Sequence, residues 1–387
     1  MNVVGLQKVL QGAGEGDQAG AGDQVHVDRP RRHDQPGHGC VVPHHRLEEQ
    51  GEVVRIAAEV SAELEITEIT DRVTKAQGKA LLFEKVKGSR YPVVTNAFGS
   101  LRRVAMALGR TPDEIAGKIE SLLTLKAPQG IADTVKLLPR LLDLVRIPPK
   151  RVTRAPCQEV VHTETDLSII PALKCWPHDA GKFITLPLVV TASPEDGTRN
   201  IGMYRIQIYD RNTTGMHWQI HKDGRSHFSQ YARAKKRMEA AVVIGGDPAT
   251  IYAATAPLPP GIDELLFAGF IRNKAVEIVR CKTVDLEVPA WAEFVIEGYL
   301  DPDERRTEGP FGDHTGFYSP ADDYPVFHAT CITHRKDPVY PATIVGPPPM
   351  EDAFLAKATE RIFLPLIRTV VPELVDMNLP VEGAFHN

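Results

Sequence analysis

Three short stretches hold the side chains whose types and spacing could do chemistry together. The first, NIGMYRIQIYDRNTTGMHWQIHKD, carries Asn200, Arg205, His217 and His221. Alternate residues of a strand share a face, so Asn200 and Arg205 point to opposite sides and meet one ligand only across a strand end or a bulge. His217 and His221 share a face by the same parity. Imidazole with an amide oxygen makes a borderline-to-hard metal set, still short of a carboxylate. A surface hairpin with its polar residues in water accounts for these residues equally well.

The second stretch is PLPPGIDELLFAG, with Asp263 and Glu264 ahead of an apolar helical run. Asp263 suits a helix N-cap and Glu264 the first turn, where the dipole favours negative charge. The third is EGPFGDH, in which Glu308 and Asp313 flank a Gly-Pro turn that a ligand could approach closely. Paired carboxylates in unlike environments equip a site with one ion-paired partner and one proton donor, although a polar β-turn reads the same way. Taken together, the stretches offer an Asn, a His and a Glu as a candidate metal triad, and Arg205, Glu308 and Asp313 as a candidate proton-transfer group. No GxGxxG opens a helix after a strand, and GxxxxGK[ST], GxSxG and HExxH do not occur, which leaves Rossmann, P-loop and serine-hydrolase chemistry without support.

These residues need a frame to hold them. With 387 residues, 42% hydrophobic and 25% charged, the chain is long enough for two or three domains and reads as soluble and globular. A net charge of -5 and mixed, short basic clusters argue against nucleic acid as a partner. Five scattered cysteines with no CxxC pair fit a reducing cytoplasm. Residues 1–45 hold eight glycines and five histidines and lack Phe, Tyr, Trp and Ile, so they are expected to be disordered or the product of a mis-assigned start.

The organised sequence begins at His45-Arg46-Leu47-Glu48. Residues 46–150 read as a small α/β domain: a strand VVRI, a helix with apolar positions 64, 66, 69 and 73, ALLFEKVKG and YPVVTNAFGS as strand and turn, and a helix LRRVAMALG closed by Gly109. From 151 to 346 many short β-like runs, separated by Gly, Pro, Asp or Asn, predict a mostly antiparallel sheet or barrel interrupted by one helix, FSQYARAKKRMEA. A helix near Ala353 to Val371 opens the last segment, 347–387.

The stretches NIGMYRIQIYD, GMHWQIHKD, GGDPAT, PGIDELLFAG, DLEVPAWAEFVIEGYL and EGPFGDHTGFY resemble, in order and spacing, the UbiD-like decarboxylases. That resemblance implies an α+β fold: a small N-terminal α/β domain, a central flavin-binding domain like a split β-barrel, and a linker helix leading into a C-terminal α/β domain that is truncated here. It implies a carboxy-lyase that uses prenylated FMN, with Mn2+ held by Asn200, His221 and Glu264 and a K+ near the carbonyls of Ala253 to Ala256. The cofactor contacts would be Met203, Tyr204, Arg205, His217, Trp218, Gln219, Lys222 and Asp223. Arg205, Glu308 and Asp313 would form the catalytic group, with Asp313 as proton donor.

Aspartate at that last position tilts the expected substrate towards an aromatic hydroxy acid of the polyprenyl-hydroxybenzoate or naphthoate type, in ubiquinone or menaquinone synthesis. Expected partners are a flavin prenyltransferase that supplies the cofactor and further copies of the chain in a homo-oligomer. The expected location is the cytoplasm, peripheral to the inner membrane when the substrate is lipophilic. The competing expectations are another aromatic or α,β-unsaturated acid as substrate, or a truncated flavin-binding homologue without catalysis.

Overall fold

The computed structural model describes residues 43–124, 145–219, 222–259 and 261–383. The helices are α1 (Pro43–Glu49), α2 (Glu65–Lys75), α3 (Leu101–Leu108), α4 (Pro112–Leu123), α5 (Asp223–Arg233), α6 (Pro248–Ala253), α7 (Glu264–Arg272) and α8 (Glu351–Val370). The strands before residue 200 are β1 (Val53–Val60), β2 (Ala80–Val86), β3 (Val93–Thr95), β4 (Lys150–Arg151), β5 (Val160–His162), β6 (Phe183–Ile184), β7 (Pro187–Ala192) and β8 (Arg199–Met203). They continue with β9 (Ile206–Ile208), β10 (Thr213–Met216), β11 (Met238–Ile244), β12 (Glu277–Arg280), β13 (Glu287–Pro289), β14 (Phe294–Glu308), β15 (Phe311–Gly312), β16 (Tyr318–Ser319), β17 (Asp322–His334) and β18 (Tyr340–Pro341).

Local chemistry explains the N-terminal helices. In α2, Ile66, Ile69 and Val73 are buried, Glu65 and Glu68 occupy the first turn and Arg72 and Lys75 the last, matching both an apolar face and the helix dipole. Thr111 and Glu114 form a capping box ahead of α4, with Pro112 at its first turn. Gly109, at φ 77°, closes α3 in the left-handed conformation. The sheet beside these helices runs β1-β2-β3-β18, so a strand from beyond residue 339 completes it.

The large sheet has nine strands, all antiparallel, in the order β6-β9-β10-β17-β14-β11-β7-β8, with β5 added on β17. Its central strands are apolar on both faces. Leu188, Val190, Ala241 and Val243 pack with α6 and α7, whereas Val189, Ala240, Val242 and Ile244 pack towards the N-terminal sheet. Burial on both sides explains why MEAAVVI reads as a continuous apolar run instead of an alternating one.

The path has a consequence for the stretch that ends at Asp223. β8 is one end of the sheet and β9 lies next to the other, yet only Tyr204 and Arg205 separate them. Three peptide steps from Met203 to Ile206 reach at most about 11 Å. The sheet therefore curls until its ends approach, without closing into a barrel. The single hairpin expected over residues 200–223 is thus two pieces: β9 and β10 form a hairpin, and β8, on the other side of the seam, pairs with β7.

Two further expectations shift. The strand expected over VVRI extends to Val60. The helix expected over FSQYARAKKRMEA starts earlier, at Asp223, and stops at Arg233, because Lys235 turns the chain at φ 52° and Met238 already enters the buried strand β11.

α7 carries Glu264 as its first residue, so its placement fixes that carboxylate. Its Gly269 lies against the backbone carbonyl of Ile147, which a Cβ would strike. Gly269→Ala should therefore push α7 outward and lower stability by about 1–3 kcal/mol, read as a lower midpoint in urea; an unchanged midpoint would contradict this packing.

Candidate active site

Arg205 sits in the two-residue break between β8 and β9, where the curled sheet brings its ends together. Its side chain is only 10% exposed. The guanidinium donates through Nε to Glu308 Oε1 at 2.8 Å and through Nη2 to Oε2 at 3.1 Å, a planar fork on a carboxylate. Nη1 donates to Asp313 Oδ2 at 3.1 Å. The Phe311 ring lies beneath, 4.6 Å from the guanidinium carbon.

Glu308 is the last residue of β14 and its side chain is wholly buried. His217, just after β10, donates from Nδ1 to Glu308 Oε2 at 3.1 Å and stacks on Tyr324. Burial alone would raise the Glu308 carboxyl, but the hydrogen bonds from His217 and Arg205, with their charges, outweigh it and hold the group below the usual range. Burial is likewise the largest single influence on Asp313. It is outweighed by the side chain and backbone of His314, both on Oδ1 at 2.7 and 2.8 Å, and by Arg205. Asp313 also ends below the usual carboxylate range.

The loop between the two carboxylates is braced from outside. Gln207 Oε1 accepts from Gly309 N at 2.8 Å, and Asp179 Oδ1 accepts from Gly312 N at 2.7 Å. The other Asp179 oxygen takes the backbone N–H groups of Cys175 and Trp176. The Trp176 ring covers Gly312 so closely that any Cβ there would collide with it, which is why this turn needs glycine. Asp179, Trp176, Gln207 and Tyr324 carry no motif of their own, so sequence reasoning missed them. Only their contacts reveal them.

A second cluster lies along β8. Asn200 lies within β8 and is 7% exposed, five residues before Arg205 in the sequence. Two contacts pin the start of α7 to this strand. Arg199 pairs with Asp263 at 2.7 Å, and Glu264 Oε2 accepts from Ile201 N at 3.1 Å. Asp263 caps α7 by accepting from Leu265 N and Leu266 N, as its N-cap reading expects, while Glu264 turns back towards β8. Burial pushes the Glu264 carboxyl up to about 7, and the nearby charges of Asp263 and Asp223 act in the same direction.

Among the described residues, two polar atoms at this end are buried without a partner: Asn200 Nδ2 and Trp218 Nε1. Trp218, Tyr204 and Gly224 lie together, since a Cβ on Gly224 would stand 3.0 Å from Trp218 Nε1 and 3.2 Å from the Tyr204 hydroxyl. Met203 is half-buried and donates its N–H to Ala254 O at 3.2 Å, whereas Gln219, Lys222 and Asp223 are exposed. Of the carbonyls around Ala253 to Ala256, those of Ala253 and Ala254 already accept backbone N–H groups. His221 lies outside the described residues. Among the described residues no group of three or more His, Cys, Asp or Glu could hold a metal ion, and of the expected triad only Asn200 and Glu264 are described.

A cation suits this pair on chemical grounds. An asparagine amide presents oxygen or nitrogen at the same place, and a carboxylate that is costly to ionise when bare gains most from a cation. The unpartnered Trp218 N–H next to it offers a donor to an anionic group.

Comparison with known proteins agrees with this architecture. Residues 150–348 match the 3-octaprenyl-4-hydroxybenzoate carboxy-lyase Rift-related domain, residues 45–123 its N-terminal domain, and residues 353–387 its C-terminal domain. An uncharacterized protein of Archaeoglobus fulgidus is 56% identical over 344 residues, 88% of this chain and 71% of the relative. An evolved dimeric form of the UbiD-class enzyme HmfF from Pelotomaculum thermopropionicum, solved with prFMN, is 30% identical with a TM-score of 0.77, over 89% of this chain and 76% of that one. Vanillic acid decarboxylase of Sedimentibacter hydroxybenzoicus, in its closed form, is 29% identical with a TM-score of 0.77, over 89% and 72%. The chain belongs to the UbiD family of carboxy-lyases.

Proposed function

We propose that the chain catalyses the reversible, non-oxidative decarboxylation of an aromatic hydroxy acid, with prenylated FMN and a divalent manganese ion bound. The observation that carries this reading is the guanidinium of Arg205, forked on buried Glu308 and bridged to Asp313. Three of the five N–H groups of Arg205 are used in these bonds, which leaves two for an incoming carboxylate. Asp313, on the same guanidinium, is placed to pass a proton to the carbon that loses carbon dioxide.

When bound, prenylated FMN supplies the electron sink for that step. Asn200 and Glu264, with His221, would hold the metal at the phosphate end, and Trp218 and Tyr204 would line the cofactor beside them. His217 donates to Glu308 Oε2, the oxygen that also accepts from Arg205 Nη2, so Glu308 stays ionised and Arg205 keeps its orientation. The substrate we favour is of the polyprenyl-hydroxybenzoate or naphthoate type, in quinone synthesis, with a flavin prenyltransferase supplying the cofactor. A smaller hydroxybenzoic acid is the second reading, favoured by the likeness to vanillic acid decarboxylase. No described helix is long and apolar enough to cross a membrane, and a polyprenyl substrate would bring the chain to the bilayer surface instead.

Co-production with a flavin prenyltransferase, followed by carbon dioxide release from a panel of these acids, tests the reading directly. Asp313→Asn should keep normal flavin occupancy and lose at least about a hundredfold in release; full turnover by this variant would sink the donor assignment.

The metal assignment has its own signature in pH. A proton competes with the cation for Glu264, whose carboxyl is raised to about 7 when the site is bare, so manganese retention should fall as pH drops through that region. Glu264→Gln should lower manganese content at every pH and flatten that dependence. Wild-type metal content in the variant would remove Glu264 from the ligand set.

A further inference from the structure

Decarboxylation consumes one proton per turnover, and the resting site does not hold that proton on its donor. Asp313 is kept as an anion by three donors, Arg205 Nη1, His314 N and His314 Nδ1. Some group must therefore charge it before each transfer to carbon. Arg205 does not release a proton in the working range of an enzyme. Glu308 is wholly buried and accepts from Arg205 and His217. The backbone N–H of His314 is not an acid. Water reaches the Asp313 side chain too, which is 26% exposed, but the titratable group already in contact with it and open to solvent is the His314 imidazole, whose Nδ1 stands 2.7 Å from Asp313 Oδ1 and whose side chain is 30% exposed.

We propose that His314 is the proton relay between solvent and Asp313, an assignment that rests on Asp313 being the donor. In the decarboxylating direction the Nδ1–H bond breaks and an O–H bond forms on Asp313. That O–H then breaks as the carbon takes the proton in place of the departing carbon dioxide, and water returns a proton to the imidazole. The sum is one carboxylate and one proton giving one C–H bond and carbon dioxide. Carboxylation runs the same steps backwards.

The surroundings fit a relay. The imidazole faces Asp313 from its own loop and Asp352 from the start of α8, and Arg205 stands behind Asp313. The bond to Asp313, together with the charges of both aspartates, raises His314 above its ordinary value and so favours the protonated imidazole. Burial holds Asp352 itself up at about 6. An arriving substrate carboxylate adds negative charge beside Arg205 and Asp313, and a like charge favours moving the proton from His314 onto Asp313.

The test uses the full chain loaded with prenylated FMN. Vanillic, 3,4-dihydroxybenzoic and 3-polyprenyl-4-hydroxybenzoic acids are assayed first, and the fastest is carried forward. His314→Gln keeps a side-chain N–H for Asp313 but cannot relay. Its kcat should fall roughly a hundredfold with KM and flavin occupancy unchanged, and added imidazole should restore part of the loss. The wild-type kcat should decline as pH rises through the raised His314 value, and the variant should lose that limb.

Wild-type kcat with an unchanged pH profile in His314→Gln overturns the relay. So does a loss that imidazole does not mend and that travels with KM and flavin occupancy, which marks a merely structural role. If the variant fails to fold, the wild-type profile decides, and a kcat flat from about pH 6 to 9 overturns the relay. A flavin-loaded wild-type chain that releases no carbon dioxide from any of the acids overturns the decarboxylase reading, and the relay with it. An active wild type with inactive Asp313→Asn and fully active His314→Gln removes only the relay.

Discussion

The bidentate pair between Arg205 and Glu308 is the constraint around which the site is arranged. A wholly buried carboxylate is sustained only when its charge is matched and its lone pairs are filled, and Arg205 with His217 does both. The pair spans about a hundred residues of sequence and joins the β8–β9 break to the end of β14. It therefore requires the curled sheet to be in register from one end to the other. Asp313 then takes its place on a guanidinium already oriented, held by a loop whose backbone is clamped by Gln207 and Asp179.

The two ends of the site differ in electrostatic character. At the Arg205 end, opposite charges and hydrogen bonds keep both carboxylates ionised in spite of burial. At the Glu264 end no cationic side chain among the described residues neutralises the carboxylate, and burial with neighbouring aspartates drives it towards its neutral form. One end is complete in the protein alone. The other, with Asn200 Nδ2 and Trp218 Nε1 unpartnered, is built to be completed by something it binds.

Much of this was legible from residue types. Asn200, Glu264, Arg205, Glu308 and Asp313 stood out only as a set, since a hairpin, a helix first turn and a polar turn each account for their own share, and the resemblance to the UbiD family gave them roles. Capping signals placed the end of α3 and the start of α7, where Asp263 keeps its capping role alongside an ion pair with Arg199. What the sequence hid was long-range. No local pattern says that β8 and β9, adjacent in sequence, lie at opposite ends of the sheet path, because register between distant strands is set by which apolar faces meet. For the same reason the brace from Asp179 and Trp176 to the EGPFGD turn, about 130 residues away, and the bond from His217 to Glu308 had no signature.

The uncompleted seam of the large sheet carries one more consequence. Strands β6 and β8 end the path without a ladder between them among the described residues, and the connection Tyr204–Arg205 is a covalent hinge across that gap. A ligand that touches Asn200 on one side and Arg205 on the other acts as a clasp, replacing missing ladder bonds with its own. The seam would then breathe in the empty protein and lock in the loaded one, so cofactor capture and the last stage of tightening of the sheet would be a single event.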